Sequence, residues 1–204
     1  SKTKEGKALR EGVKHIELVT DEVFKNLSDT QTPQGILALV KQYHYTLEEV
    51  AGGSRKSAQA EELQEKPALL MVLETIQDPG NLGTILRAGE GAGVTGIVMD
   101  ANTADIYNPK VIRSTMGSVL RMPFVYVENL HETLEELKKK KIRLFAAHLQ
   151  GKHAYDQEDY TGPAAFLIGN EGNGLTEETA AMADTYIRIP MEGRVESLNA
   201  AVAA

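Results

Sequence analysis

Short apolar runs recurring along the last two thirds of the chain constrain its fold more than any other feature. They are LLMVLET (69–75), GIVMD (96–100), MPFVYV (122–127), RLFAAH (143–148), AFLIG (165–169) and YIRIPM (186–191). Each has the length and aliphatic or aromatic content of a strand buried on both faces. Between them, 82–92, 109–120, 130–141 and 177–183 read as helices. In the third of these, Leu130, Leu134 and Leu137 form one stripe, acids fill the first turns and Lys138 to Lys141 close the end. That lysine run reads as a dipole-matched, solvated helix end in preference to an RNA contact. Strands alternating with helices make βα units, so the sequence predicts an α/β fold with a mainly parallel sheet covered on both faces.

Upstream the texture differs. HIELVT (15–20) and GILALVKQ (35–42) read as strands, and DEVFKNLSD (21–29) as a helix opened by Asp21. Gly52-Gly53-Ser54-Arg55-Lys56-Ser57 and the polar stretch to Pro67 read as a linker over 52–67, with a short helix at 58–65. The expected organisation is therefore a partial small domain over 1–51, the linker, and the main domain over 68–204.

Composition excludes several function classes. The chain has no Cys, which rules out a disulfide scaffold, a Cys-type zinc site and a thiol nucleophile, and fits a cytoplasmic location. No apolar run approaches the ~18–20 residues that cross a bilayer, and the polar N-terminus has no signal-peptide core. With 22 Lys+Arg against 29 Asp+Glu, the net charge of −7 argues against wholesale wrapping of nucleic acid. An RNA partner would have to meet a few clustered cations.

Ligands of such sheets bind beyond the carboxyl ends of the strands, so the loops there are where chemistry is expected. In the first, IQDPGNLGTILRAGEGAGV, Pro79-Gly80 reads as a turn and Asn81 as a helix N-cap. Gly83 and Arg87 follow four residues apart on one helix face. A fixed cation beside a glycine suits a phosphate or an alkoxide; the alternative is that Asn81 only caps and Arg87 only lies on the surface. Gly89, Gly91 and Gly93 sit at the end of this helix, where they read as termination and packing and not as a dinucleotide fingerprint. In the second loop, FLIGNEGNGLTEE, Glu171 stands between Asn170 and Asn173 in a glycine-rich turn, and Thr176 can cap the next helix. In the third, YIRIPMEGRVESLNAAVAA, Ser197 and Asn199 precede a run of small residues.

In this order and spacing, DPGNLGTILRAGEGAG, FLIGNEGNGL and IPMEGRVESLNAAVA resemble the three signature motifs of the SpoU/TrmH branch of the SPOUT methyltransferases. The stretch VIRSTMGSVLRMP is also similar to that family, and TPQGILALV resembles the end of its small ribosomal-protein-like substrate-binding domain. The resemblance covers about 69–204. It implies an S-adenosylmethionine-dependent RNA 2′-O-ribose methyltransferase with a C-terminal trefoil knot, working as a homodimer. By position, Arg87 matches the catalytic arginine, Asn81 the motif-one asparagine, Glu171 the motif-two glutamate, and Ser197 and Asn199 the motif-three pair. The resemblance places the cofactor on main chain near His148 and Leu149, Gly169, Ile189 and Leu198. Family members normally run past this last motif into a further helix that completes the knot, whereas this chain stops at Ala204.

A sulfonium methyl is already activated, so the enzyme must chiefly align it with the ribose oxygen. The three loops hold no His/Asp/Glu ligand cluster, so no metal is expected. A guanidinium is a poor general base, and Arg87 is read as anchoring phosphate and stabilising developing alkoxide charge, with proton removal by it or by water left open. Arg87, Arg113 and Arg121 are the candidate RNA-contacting cations. The leading substrate is ribosomal RNA, 23S in particular, with tRNA as the alternative. Two other readings are a catalytically silent RNA-binding relative, which the retention of Arg87, Glu171 and Asn199 disfavours, and a nicotinamide enzyme, which lacks a fingerprint in the right turn.

Overall fold

The computed structural model describes residues 15–28, 30, 32–52, 67–194 and 197–204. It divides into two compact units, Ser1–Gln42 and Tyr43–Ala204. Apart from its end residues, the expected linker, including the helix at 58–65, lies outside the described residues.

In the first unit, helix α1 (Asp21–Leu27) forms where the sequence places it. Its N-cap is Thr20, whose hydroxyl accepts from the Val23 N–H at 3.4 Å, and its acids lie in the first turn. HIELVT and GILALVKQ, expected as strands, are not strands. A strand persists only where a neighbour takes up its backbone N–H and C=O groups. No strand neighbour is present among the described residues of this unit, and Leu18 and Leu39 are almost fully exposed.

Among the described residues the second unit is built on seven parallel strands: β1 (Leu69–Leu73), β2 (Gly96–Asp100), β3 (Phe124–Val127), β4 (Arg143–Ala147), β5 (His153–Ala154), β6 (Ala164–Ile168) and β7 (Thr185–Arg188). Their order is β3-β2-β1-β6-β4-β7-β5. All six expected strands are present; β5, only two residues long, carries no periodicity to find. The helices are α2 (Leu47–Ala51), α3 (Pro79–Ala92), α4 (Pro109–Ser114), α5 (Leu130–Lys139), α6 (Glu177–Ala181) and α7 (Ala200–Ala203).

Alternation along β1 divides the core. Leu70 and Val72 face a layer with Leu134 and Leu137 of α5, while Met71 and Leu73 face Leu82, Ile85 and Leu86 of α3. Helix α2 opens on a capping box between Thr46 and Glu49, and its Val50 is fully buried in the first layer. The sheet-bearing unit thus begins at Tyr43, ahead of the expected boundary at 51.

Two local features depart from the sequence reading. The helix expected over 109–120 stops at Ser114, whose hydroxyl bonds back to the Lys110 and Val111 carbonyls. Met116 (φ 51°) and Gly117 (φ 92°) then turn left-handed ahead of a single 3-10 turn, Ser118–Leu120. Pro79-Gly80 is not a free turn, because Pro79 begins α3 with Asp78 as N-cap. The reading of the glycine cluster holds for two of the three: Gly93 (φ 89°) is the left-handed C-cap of α3 and Gly89 packs on Met71 and Val94, whereas a Cβ on Gly91 would meet open space. In the loop after β6 the backbone folds tightly back on itself, with Asn170 and Gly174 bridged. A Cβ on Gly169 would lie 2.1 Å from the Gly174 carbonyl carbon and the Leu175 nitrogen.

Candidate functional site

Because every strand is parallel, the loops after them emerge at one edge of the sheet. There the side chains of the three motif loops are joined. The Glu171 carboxylate accepts from the main-chain N–H of Gln77 (3.2 Å) and Asp78 (3.0 Å) and from Asn81 Nδ2 (3.1 Å). Asn81 Oδ1 in turn accepts from Asn199 Nδ2 at 2.9 Å. Asn170 donates to the Thr75 carbonyl at 2.9 Å and accepts from the N–H groups of Gly172 and Asn173, closing the second loop on itself. Partial burial pushes the Glu171 carboxyl up, but the Asp78, Asn81 and Gln77 hydrogen bonds outweigh it and hold the group below its ordinary value of 4.5.

Asn81 was expected as an N-cap and is not one. Asp78 takes that place, its Oδ1 accepting from the Asn81 N–H at 2.8 Å, which frees the Asn81 amide to bridge Glu171 and Asn199. Asn199 is a cap, its Oδ1 accepting from the Ala201 N–H at the start of α7, and Thr176 caps α6 as expected. Ser197 is exposed two residues before Asn199.

The space at Gly83 is taken by packing. A Cβ on Gly83 would lie 1.7 Å from Ser114 Oγ and 2.9 Å from the Val111 carbonyl oxygen, so this glycine permits the crossing of α3 and α4. Arg87 is exposed, with no hydrogen bond or ion pair among the described residues. It borders an open cleft of about 350 Å³ that Thr115, Met116 and Ser118 also line. Arg121, in the same cleft, is committed to Glu90 through Nε at 2.5 Å and Nη2 at 2.8 Å. Arg113 is exposed near the end of α4.

His148, Gly169 and Ile189 stand just past the ends of the neighbouring strands β4, β6 and β7. The His148 N–H donates to the Ile187 carbonyl at 2.9 Å, and its ring lies 4.9 Å from that of Tyr186. Leu149 is 72% exposed, while Ile189 and Leu198 are half-buried.

Sequence reasoning missed two buried carboxylates that hold these loops. Glu74 accepts from the Thr176 N–H (2.8 Å), the Thr176 hydroxyl (2.8 Å) and the Thr179 hydroxyl (2.5 Å), tying the second loop to the end of β1. Asp100 accepts from the Thr75 N–H (2.8 Å) and hydroxyl (2.7 Å), holding Thr75 at a φ of 56°. The available signal was an acid closing each of two apolar runs, LLMVLE and GIVMD. An unpaired carboxylate there would be costly to bury.

Fold and site together define an α/β domain that gathers polar groups from three loops at the start of α3, the helix that also carries Arg87. A family model described as the SpoU rRNA Methylase family matches residues 68–204, and one described as RNA 2′-O ribose methyltransferase substrate binding matches residues 2–46. The chain belongs to the SpoU rRNA methylase family, whose members are S-adenosylmethionine-dependent RNA 2′-O-ribose methyltransferases. It is similar to the 23S rRNA (guanosine(2553)-2′-O)-methyltransferase RlmP of Bacillus subtilis (strain 168), with 32% identity over 187 residues, 92% of this chain and 68% of the relative. The 23S rRNA (guanosine-2′-O-)-methyltransferase RlmB of Xylella fastidiosa (strain 9a5c) is 37% identical over 137 residues, 67% of this chain and 55% of the relative.

Two solved structures are similar as well. The AdoMet-bound rRNA methyltransferase from Sinorhizobium meliloti matches with a TM-score of 0.77 at 30% identity, over 90% of this chain and 66% of that one. The SpoU methyltransferase AviRb from Streptomyces viridochromogenes matches with a TM-score of 0.82 at 26% identity, over 98% of this chain and 74% of that one. The chain thus spans between 55% and 74% of the length of these proteins.

Proposed function

We propose that this protein methylates ribose 2′-hydroxyls of ribosomal RNA, of 23S rRNA in particular, with Arg87 at the reacting oxygen. One observation carries the reading: the Asn199–Asn81–Glu171 hydrogen-bond chain fixes the start of α3, the helix that carries Arg87, a cation without an ion pair among the described residues. Both curated relatives named above act on 23S rRNA by name, which supports this substrate.

When bound, S-adenosylmethionine supplies an electrophilic methyl group. The residues beyond β4, β6 and β7 fit it: Leu149, Ile189 and Leu198 offer apolar contact to a flat heterocycle, and His148 and Gly169 bring main chain to its polar edges. Leu149 stands exposed at a strand end, where an apolar side chain gains from being covered. The Arg87 guanidinium holds the phosphate of the target nucleotide and stabilises negative charge as it develops on the ribose oxygen. Asn81 and Glu171 keep Arg87 in place, while Ser197 and Asn199 set the third loop. Arg113 adds a phosphate contact; Arg121, paired with Glu90, adds a screened charge.

The N-terminal residues, with the match over 2–46, form the substrate-binding part, and the main domain follows the linker. The protein works as a cytoplasmic homodimer whose C-terminal segment is threaded as a trefoil knot. The close approach of the backbone at Gly151 to that of Ile187 and Arg188 supports the threading.

The test is transfer of labelled methyl from S-adenosylmethionine to total rRNA or tRNA from cells lacking the gene. Arg87→Ala is expected to lower turnover a hundredfold or more, on the order of 3 kcal/mol, with cofactor affinity near wild type. Arg87→Lys recovers little if the planar fork clamps two oxygens. Near-normal turnover in Arg87→Ala, or transfer to tRNA alone, would overturn the reading.

A further inference from the structure

The cleft beside Arg87 has a second wall that the reaction as described does not use. Met116 is 70% exposed although methionine is apolar, and its backbone is left-handed at φ 51°, as is that of Gly117 at φ 92°. A non-glycine residue held in that region persists only where its surroundings over-determine it, and such residues cluster at ligand sites. Here the surroundings are visible. Glu90 of α3 accepts from the Ser118 hydroxyl at 2.6 Å and from Arg121 at 2.5 and 2.8 Å. The Ser118 N–H also donates to the Thr115 carbonyl at 3.0 Å. The turn that displays Met116 is therefore pinned to the helix that carries Arg87, with Glu90 one turn further along.

The two walls differ in chemistry. Arg87 offers a cation with no ion pair among the described residues, and Met116 offers a polarizable thioether that packs well on aromatic rings. The opening of about 350 Å³ falls in the range of sites that take one small ligand. A nucleotide residue of RNA joins the matching pair, a phosphate and a flat heterocycle, in one unit. Glu90, Ser118 and Arg121 already satisfy one another, so the floor presents few free groups to read a base edge.

We propose that this cleft seats the base of the target nucleotide and that Met116 is the platform on which the base packs while Arg87 holds its phosphate. The proposal rests on the role given to Arg87 above. It predicts that the cleft positions the base with little discrimination among bases.

The chain has no tryptophan, so Met116→Trp introduces a single fluorescent reporter. Its emission is expected to be quenched by total rRNA from cells lacking the gene. Tyr155→Trp, near the β5 edge of the sheet, is expected not to respond. In methyl transfer to the same rRNA, Met116→Ala is expected to raise KM about three- to tenfold with S-adenosylmethionine affinity unchanged, and Met116→Leu to stay within about twofold of wild type. Removing an exposed side chain leaves the core intact, so misfolding does not confuse the result. Equal KM in Met116→Ala and wild type would overturn the platform while leaving Arg87 in place. Met116→Trp emission that follows protein concentration but not rRNA would mean that the face meets a second copy of the chain, which also overturns it. A wild-type protein that transfers no methyl to rRNA would overturn the role of Arg87, and the platform with it.

Discussion

Replacing Glu171 with Gln changes one oxygen to an amide and removes one charge, and the geometry sets the cost. The carboxylate serves three donors at 3.0 to 3.2 Å, the N–H groups of Gln77 and Asp78 and the Asn81 amide, and a fourth, Asn170 Nδ2, marginally at 3.5 Å. Gln keeps one oxygen, which can still serve Asp78 and Asn81 as a neutral acceptor. Its NH2 then faces the Gln77 N–H, donor against donor. Hydrogen bonds to a charged group contribute about 1.5–3 kcal/mol and neutral ones about 0.5–1.5. Two weakened bonds and one lost would sum to several kcal/mol in a dry site. Gln77 and Asp78 are exposed, however, so water offsets much of the loss and about 2 kcal/mol remains. For a chain of this size that lowers Tm by roughly 4–8 °C.

The pH dependence identifies the cause. The folded-state carboxyl of Glu171 lies below its ordinary value, so its contribution is present above the ordinary carboxylate range and is lost as pH falls through the folded value. Urea unfolding of both proteins from pH 7 to pH 3 is therefore expected to show a gap that closes toward the acid end. A gap of constant size, or no gap at pH 7, would refute the reasoning.

Gly83→Ala is expected to destabilise by more than ~2 kcal/mol in urea unfolding, despite the better helix propensity of Ala, because the new methyl meets Ser114 and the Val111 carbonyl. Adding Ser114→Gly should recover only part of the loss, since the Val111 contact remains. Asn199→Ala removes the cap of α7 and the bond to Asn81, a loss of about 1–2 kcal/mol; weakened S-adenosylmethionine binding by calorimetry is expected alongside. Methyl transfer and cofactor binding are expected to be unchanged by a chelator of divalent ions, and activity that vanishes with chelator and returns with metal would contradict the reading of the loops.

The parallel sheet was legible because its cause is local. A strand buried on both faces must be apolar along consecutive residues, and LLMVL, GIVMD and AFLI are so regardless of what lies beside them. The motif residues were legible as a set for a similar reason: their types and order stand in the chain itself. The helix read over 109–120 failed at Met116 and Gly117, where two left-handed residues override an apolar pattern that continues through them. The task of each motif residue was not legible, because it depends on partners far along the chain. Asn81 reads as a cap until the sheet brings Glu171, 90 residues on, and Asn199, 118 residues on, against its amide. Glu74 reads as the polar end of a strand until Thr176 and Thr179 fold over it, and Gly83 as room for a ligand until Ser114 occupies the space. Hydrophobic periodicity is written in neighbouring residues, whereas hydrogen-bond partnership is decided by strand order and helix crossing, which exist only in the folded chain.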